Sequence, residues 1–256
     1  MAAGATETPP LLRRSGLGRH PGIGRGLAVH PAISLAGRFP EPVEPWKGVL
    51  QSVGIEQLHD DGILLEATAA PAGMGTFPLP GTGSRLRSEV DAAAHLATIG
   101  AMIADEPSGR VHGGTRSFVT YKMSRTDRDK LRTAMCAAGE VLFAAGATEV
   151  LTGLVHRPRA RTAAELREIA EQVPVSRWHV AAFHPTGSAR MGRDDQHCPV
   201  DARGRLRGVT GVHVADASVL PSCPTVNPQI TIMAMALAIA GSALDRHRPT
   251  AHQPIG

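Results

Sequence analysis

The feature that most constrains this chain is an apolar run near its C-terminus, Ile230 to Leu244, which opens on the step Asn227-Pro228. Asn is a favoured helix N-cap and Pro is favoured at the first helical position, so the step predicts a helix with a sharp start. Met233, Met235, Leu237 and Ile239 follow with hardly a polar side chain between them, and a helix that is apolar on most sides is expected to be buried. The run is about 15 residues long, short of the ~20 that a bilayer demands. Prolines at 221, 224 and 228 flank its start. Such a loop aims the unpaired N–H groups and the positive end of the helix dipole at one fixed place. Something electron-rich is expected opposite it, although a capped core helix without a ligand would carry the same spacing.

Composition narrows the class. A chain of 256 residues with 42% apolar and 20% charged side chains can build one large domain or two modest ones around a real core. Aromatics make up 3%, too few for a base-stacking surface, and the net charge of +4 is scattered among acids, so no nucleic-acid partner is expected. The densest basic patch, Arg157, Arg159 and Arg161, reads as a solvated face. Cys136, Cys198 and Cys223 are widely spaced without a CxxC pair. That argues against a disulfide framework or a zinc site and suits a reducing cytoplasm. No basic stretch precedes an apolar one near Met1, so no secretory signal is expected, and no transmembrane segment either.

Along the chain, residues 1–37 are loop-rich around a short helix at Thr8 to Arg14, and Ala2-Ala3-Gly4-Ala5 reads like the end of a buried strand. Gly48 to Val53 and Gly62 to Thr68 are strand-like, separated by turn residues that include Asp60-Asp61-Gly62, Pro71, Gly73 and Gly75. The Ala-rich stretch from Arg87 to Ala104 has apolar residues near helical spacing and predicts a helix. A strand pair is expected around Gly113-Gly114. Beyond it come a helix from Asp127 to Ala145 capped by Ser124 or Thr126, a strand within Thr148 to Leu154, and a helix from Ala163 to Gln172 capped by Thr162. Val209 to Ala215 is strand-like.

Two further stretches carry chemistry. In Phe183-His184-Pro185-Thr186-Gly187-Ser188 the proline keeps His184 out of helical geometry, and Gly187 lets the backbone turn or approach a ligand. This is one way to hold a catalytic base at the mouth of a pocket; a structural histidine beside an aromatic is the plainer reading. In Val212-His213-Val214-Ala215-Asp216-Ala217-Ser218 an acid closes an apolar strand, as carboxylates that meet a cofactor hydroxyl do and as simple turn residues also do.

Together these stretches resemble the C-terminal signature of the glucose–methanol–choline (GMC) oxidoreductases. The matching pattern is HPTGSARMG at 184–192, Val200-Asp201, Gly204 to Leu206, Gly211 to Pro221, and Val226-Asn227-Pro228 with Thr231-Ile232. Upstream, Ala2 to Ala5, Leu11 to Leu17 and Gly24 to Leu27 are similar to the segment that closes the first part of that family's FAD-binding domain. The Val-Asn-Pro form and the stretch Asp105 to Val111 resemble the long-chain alcohol oxidase and cholesterol oxidase branch. The resemblance implies FAD as cofactor and an alcohol, of apolar character, as substrate. It implies that His184 orients the alcohol and assists removal of its hydroxyl proton while hydride passes to flavin N5. Asn227 would hydrogen-bond substrate and flavin. Asp216 and Ala217 would lie near the ribityl–pyrophosphate region, and Pro228 and Gln229 would open the helix aimed at the flavin ring.

One family element has no match. The G-x-G-x-x-G turn that cradles the ADP pyrophosphate is absent, and Gly22-Ile23-Gly24-Arg25-Gly26 has a different spacing. The expectation is a chain that needs a further N-terminal segment or subunit to supply the ADP-binding half; without one it would be a non-catalytic remnant. The fold class expected is α+β. Residues 1–37 and 181–256 would form an incomplete, discontinuous FAD-binding α/β domain, and 38–180 a substrate domain with an antiparallel sheet and helices.

Overall fold

A computed structural model describes residues 1–69 and 79–244. The elements, in chain order, are α1 (Thr8–Arg14), β1 (Arg25–Leu27), β2 (Pro31–Arg38), β3 (Gln51–Ile55), β4 (Ile63–Thr68), α2 (Ser84–Asp91), β5 (Leu96–Ile103), β6 (Gly109–His112), β7 (Phe118–Thr120), α3 (Arg125–Ala144), β8 (Glu149–Leu151), β9 (Arg159–Ala160), α4 (Ala163–Gln172), β10 (Ala181–Ala182) and α5 (Gln229–Leu244). They fall into two compact units: residues 1–29, 106–123 and 184–256 in one, and 30–105 with 124–183 in the other. The fold is mixed α and β with antiparallel sheets.

The second unit is built on a sheet in the order β3-β4-β5-β2-β8-β9, with β10 added along β2. Every pairing in it is antiparallel. The β3–β4 hairpin turns at Gly62, whose φ of +73° suits glycine. The other turn residues expected here, Pro71, Gly73 and Gly75, lie outside the described residues. α3 packs on β5 and β2, burying Leu131, Ala134, Met135, Ala138 and Leu142. Its start is a capping box: Ser124 Oγ accepts from Asp127 N, and the Asp127 carboxylate accepts from Ser124 N. Gly139 lets α4 come close, because a Cβ there would stand 1.9 Å from Leu166 Cδ2.

The helix expected from Arg87 to Ala104 stops at Asp91, and 96–103 is the central strand β5. Its Leu96, Ile99, Ala101, Met102 and Ile103 are buried between β2 and β4. A strand covered on both faces loses the period-two alternation, so its small and apolar residues read equally well as a buried helix. Arg159 also departs from expectation. It pairs with Glu89 and Glu149, which Arg38 shares, so part of the basic patch is neutralised inside an ion-pair network.

The first unit holds the small antiparallel sheet β1-β6-β7 and a core made by Leu12, Ile23, Val200, Leu206, Val214, Val219 and Ile239. Residues 106–123, read from the sequence as part of the 38–180 block, lie in this unit because β6 pairs with β1. Val209 to Ala215 forms no named strand, yet its backbone is paired: Ala215 N donates to Met1 O, and the Met1 amino group to His213 O. α5 begins at Gln229, one residue later than an Asn227 cap implies, with Pro228 O accepting from Ile232 N.

The expected burial of α5 is not what the structure has. Ile239 is its buried residue, and Ile230, Met233, Leu237 and Leu244 are exposed. Apolar periodicity says which face must leave water; it does not say whether the covering surface belongs to the same stretch of chain.

Candidate active site

All six residues singled out in the sequence lie in the first unit. The segment after β10 runs alongside the segment 216–220. Gly187 N donates to Ala217 O at 3.1 Å, Ala189 N to Ser218 O at 2.9 Å, and Met191 N to Val219 O at 2.8 Å. A second set of bonds joins Thr186 to Ala28 in both directions. His184 therefore stands two residues before a stretch of backbone fixed on two sides, itself half-buried. Gly187 is required at this crossing: its φ is +82°, and a Cβ would lie 2.6 Å from Gly26 O.

Asp216 is the hub of the unit. Its Oδ2 accepts from Ala3 N at 2.9 Å, Gly4 N at 3.2 Å and Thr8 Oγ1 at 2.6 Å, and its Oδ1 from Ser218 N at 2.8 Å. Thr8 and Ser218 are fully buried and Asp216 is 8% exposed. The carboxylate thus closes the turn Ala217–Val219 and ties it to the loop at Gly4 and to the first turn of α1. Four donors on one buried carboxylate leave little of it for another molecule, so what Asp216 does to its surroundings is position the backbone of Ala3, Gly4 and Ala217. The sequence did not single out Ala3, Gly4 and Thr8 as its partners. Thr8, ahead of Pro9-Pro10 at the start of α1 but fully buried, is the signal that could have found them.

Two hydroxyls, Thr186 Oγ1 and Ser218 Oγ, are buried with no hydrogen-bond partner among the described residues, one on each of the two paired segments. At α5 the N–H groups of Gln229, Ile230 and Thr231 precede the first helical bond, and all three residues are exposed. Pro228 is buried and Asn227 half-buried at the same end. The donor set is what an electron-rich planar edge would need: three backbone N–H groups at the positive end of a dipole, with an amide side chain beside them. By these donors the residues present fit a flavin. A cavity of about 1070 Å³ in the same unit is lined by Arg19, His20, Asp201, Arg207 and His213 among others, and by none of the six residues.

Known proteins decide the family. The sequence profile of the C-terminal part of the GMC oxidoreductases matches residues 108–236, half the chain, and that of the N-terminal part matches residues 1–32. The chain belongs to the GMC oxidoreductase family. Among its relatives is a GMC-type oxidoreductase of Mycobacterium tuberculosis strain H37Rv, 54% identical over 242 residues, which are 94% of this chain and 38% of that protein. A long-chain-alcohol oxidase of Arabidopsis thaliana is 31% identical over 266 residues, covering 95% of this chain and 35% of its own length. The GMC member thus spans well under half the length of these relatives. In fold it matches a formate oxidase from Aspergillus oryzae, a structure concerned with FAD modification, with a TM-score of 0.64 at 17% identity over 96% of this chain and 54% of that one. Among the described residues no helix is long and apolar enough to cross a membrane, and none of the three cysteines is in a disulfide.

Proposed function

We propose that this chain supplies the alcohol-oxidising part of an FAD-dependent GMC oxidoreductase, converting a primary or secondary apolar alcohol to its carbonyl. The observation that carries the reading is the backbone ladder between 187–191 and 217–219, in the unit that also holds Asn227 and the N-terminus of α5. It gives the His184 segment a fixed place beside the Asp216–Ala217 turn.

In this reading FAD, when bound, accepts the hydride. The chain's own residues do the rest. The His184 imidazole takes the hydroxyl proton as the C–H bond weakens, a contribution of about 10²–10⁴ in rate for a well-placed base. Asn227 offers its amide to the alcohol oxygen and the flavin edge. The N–H groups of Gln229 and its successors, with the dipole of α5, favour negative charge on that edge. Asp216 keeps Gly4 and Ala217 in place so that their backbone can come close to the cofactor's linker. An apolar substrate is favoured because the Arabidopsis relative is a long-chain-alcohol oxidase. The three thiols suit a reducing compartment such as the cytoplasm.

The test is spectroscopic. The flavin-loaded protein, held without oxygen, should lose its visible flavin absorbance when given a primary aliphatic alcohol, faster as the chain lengthens from ethanol to octanol. A flavin that stays oxidised with every alcohol in the series would sink the proposal.

A further inference from the structure

The cavity of about 1070 Å³ in the first unit is walled in part by the loop Gly208-Val209-Thr210-Gly211. The loop joins two stretches that pair with each other: Leu206 N donates to Val212 O, and Arg205 bridges to His213. Among the described residues none of the four loop N–H groups has a hydrogen-bond partner. A Cβ at Gly208 or Gly211 would meet nothing within 4 Å, so at these two places the wall is bare backbone beside open space. Unpaired N–H groups gathered in one turn are a ready seat for an anion.

The charged side chains around the loop leave a surplus of positive charge. Asp201 is spent on Arg205, whose Nε lies 2.6 Å from its Oδ2, and on the N–H groups of Arg203 and Arg205. Arg207 has no such partner. Its guanidinium donates to the carbonyls of Cys198, Gly192 and Arg193, which fix it in place without cancelling its charge. Arg19 is exposed and forms no ion pair among the described residues. Of the acids on the wall, the Asp195 carboxylate is left to oppose these two. His213, half-buried on the same wall, has an Nε2 with no partner among the described residues.

We infer that this cavity binds an organic phosphate, its phosphoryl oxygens on the N–H groups of 208–211 and between the guanidinium groups of Arg19 and Arg207. Several donors beside two fixed or unpaired cations suit the three oxygens and the charge of a phosphoryl group better than the two oxygens of a carboxylate. Inorganic phosphate would fill little of a space this size. Leu206, Val209 and Ala243 also line it, which gives an organic body apolar surface to rest on. Neither flavin nor His184 takes part in this binding.

The test is a titration of the 256-residue chain with phenyl phosphate, followed by the backbone amide resonances and held at constant ionic strength with chloride, which screens non-specific attraction equally throughout. The amides of Gly208, Thr210 and Gly211 should shift and saturate. Inorganic phosphate and benzoate should each need at least a 10-fold higher concentration for the same shift, the first for want of an organic body and the second for want of the phosphoryl group. Arg19→Ala, at an exposed position, should weaken phenyl phosphate about 10-fold, and Arg19→Lys less than that. No saturable shift at 208–211 overturns the inference, and so does binding that is as tight in Arg19→Ala as in the parent chain. Phenol or benzoate binding as tightly as phenyl phosphate would make this an apolar or a carboxylate site and overturn it too. So would shifts that appear at Gly4 and Ala217 and not in the loop, since the ligand would then have gone to the Asp216 turn.

Discussion

Replacing Asp216 by Asn removes a charge and little volume, which makes it a clean probe of the hub. The Asn amide has one acceptor oxygen. In its better orientation that oxygen keeps the three donors now on Oδ2, from Ala3, Gly4 and Thr8, and the NH₂ faces the N–H of Ser218. Three charge-assisted bonds become neutral, at about 1 kcal/mol each, and one buried N–H is orphaned at about 1–3 kcal/mol. Partial solvent access at Ala3 and Gly4 trims the first figure. Asp216→Asn should therefore cost about 4 kcal/mol, a large share of the ~5–15 kcal/mol that holds a domain together. Urea unfolding of the 256-residue chain at pH 7 reads this directly. Thr8→Val alone should cost about 1–2 kcal/mol, and the double variant less than the sum, because both remove the same bond. If Asp216→Asn unfolds within about 1 kcal/mol of the parent chain, the carboxylate is not the tie between these segments and its role has been misread.

Two other outcomes concern packing and pH. Gly139→Ala would stabilise an isolated helix by about 1 kcal/mol, but here its methyl would collide with the fully buried Leu166; unfolding of the second unit should show a net loss of stability. Asp201 closes the turn that carries Gly204. Burial acts to raise its carboxyl, but the N–H groups of Arg205 and Arg203 and the Arg205 guanidinium outweigh that and hold it below the usual carboxylate range. A depressed group stabilises the fold above its unfolded value and ceases to as pH falls through the folded one. Stability measured from pH 6 down to pH 3 should thus fall less steeply in Asp201→Asn than in the parent; equal slopes would refute the assignment.

How much of this was readable beforehand depended on where the determining partner lies. α4 carries its own start signal in Thr162, whose hydroxyl accepts from Glu165 N, and it begins at Ala163 as read. The hairpin at Gly113 was legible from its turn residues for the same reason. β5 was not, because its identity as a strand comes from β2 and β4 on either side of it, and local spacing pointed to a helix. α5 was read correctly as a helix and wrongly as a buried one, since its apolar spacing does not say what covers it, and among the described residues Ile230, Met233 and Leu237 stay exposed. At the candidate site, His184, Asn227 and Asp216 were singled out through motif and turn chemistry. The company Asp216 keeps was hidden because Thr8 lies 208 residues away in the chain.

Reduction of bound flavin by a primary aliphatic alcohol, compared without oxygen in the flavin-loaded protein and its His184→Ala variant, measures the proposed chemistry most directly. The variant should keep its flavin and reduce it about 10²–10⁴ times more slowly. Reduction at the parent rate would mean that the imidazole at position 184 takes no proton from the alcohol.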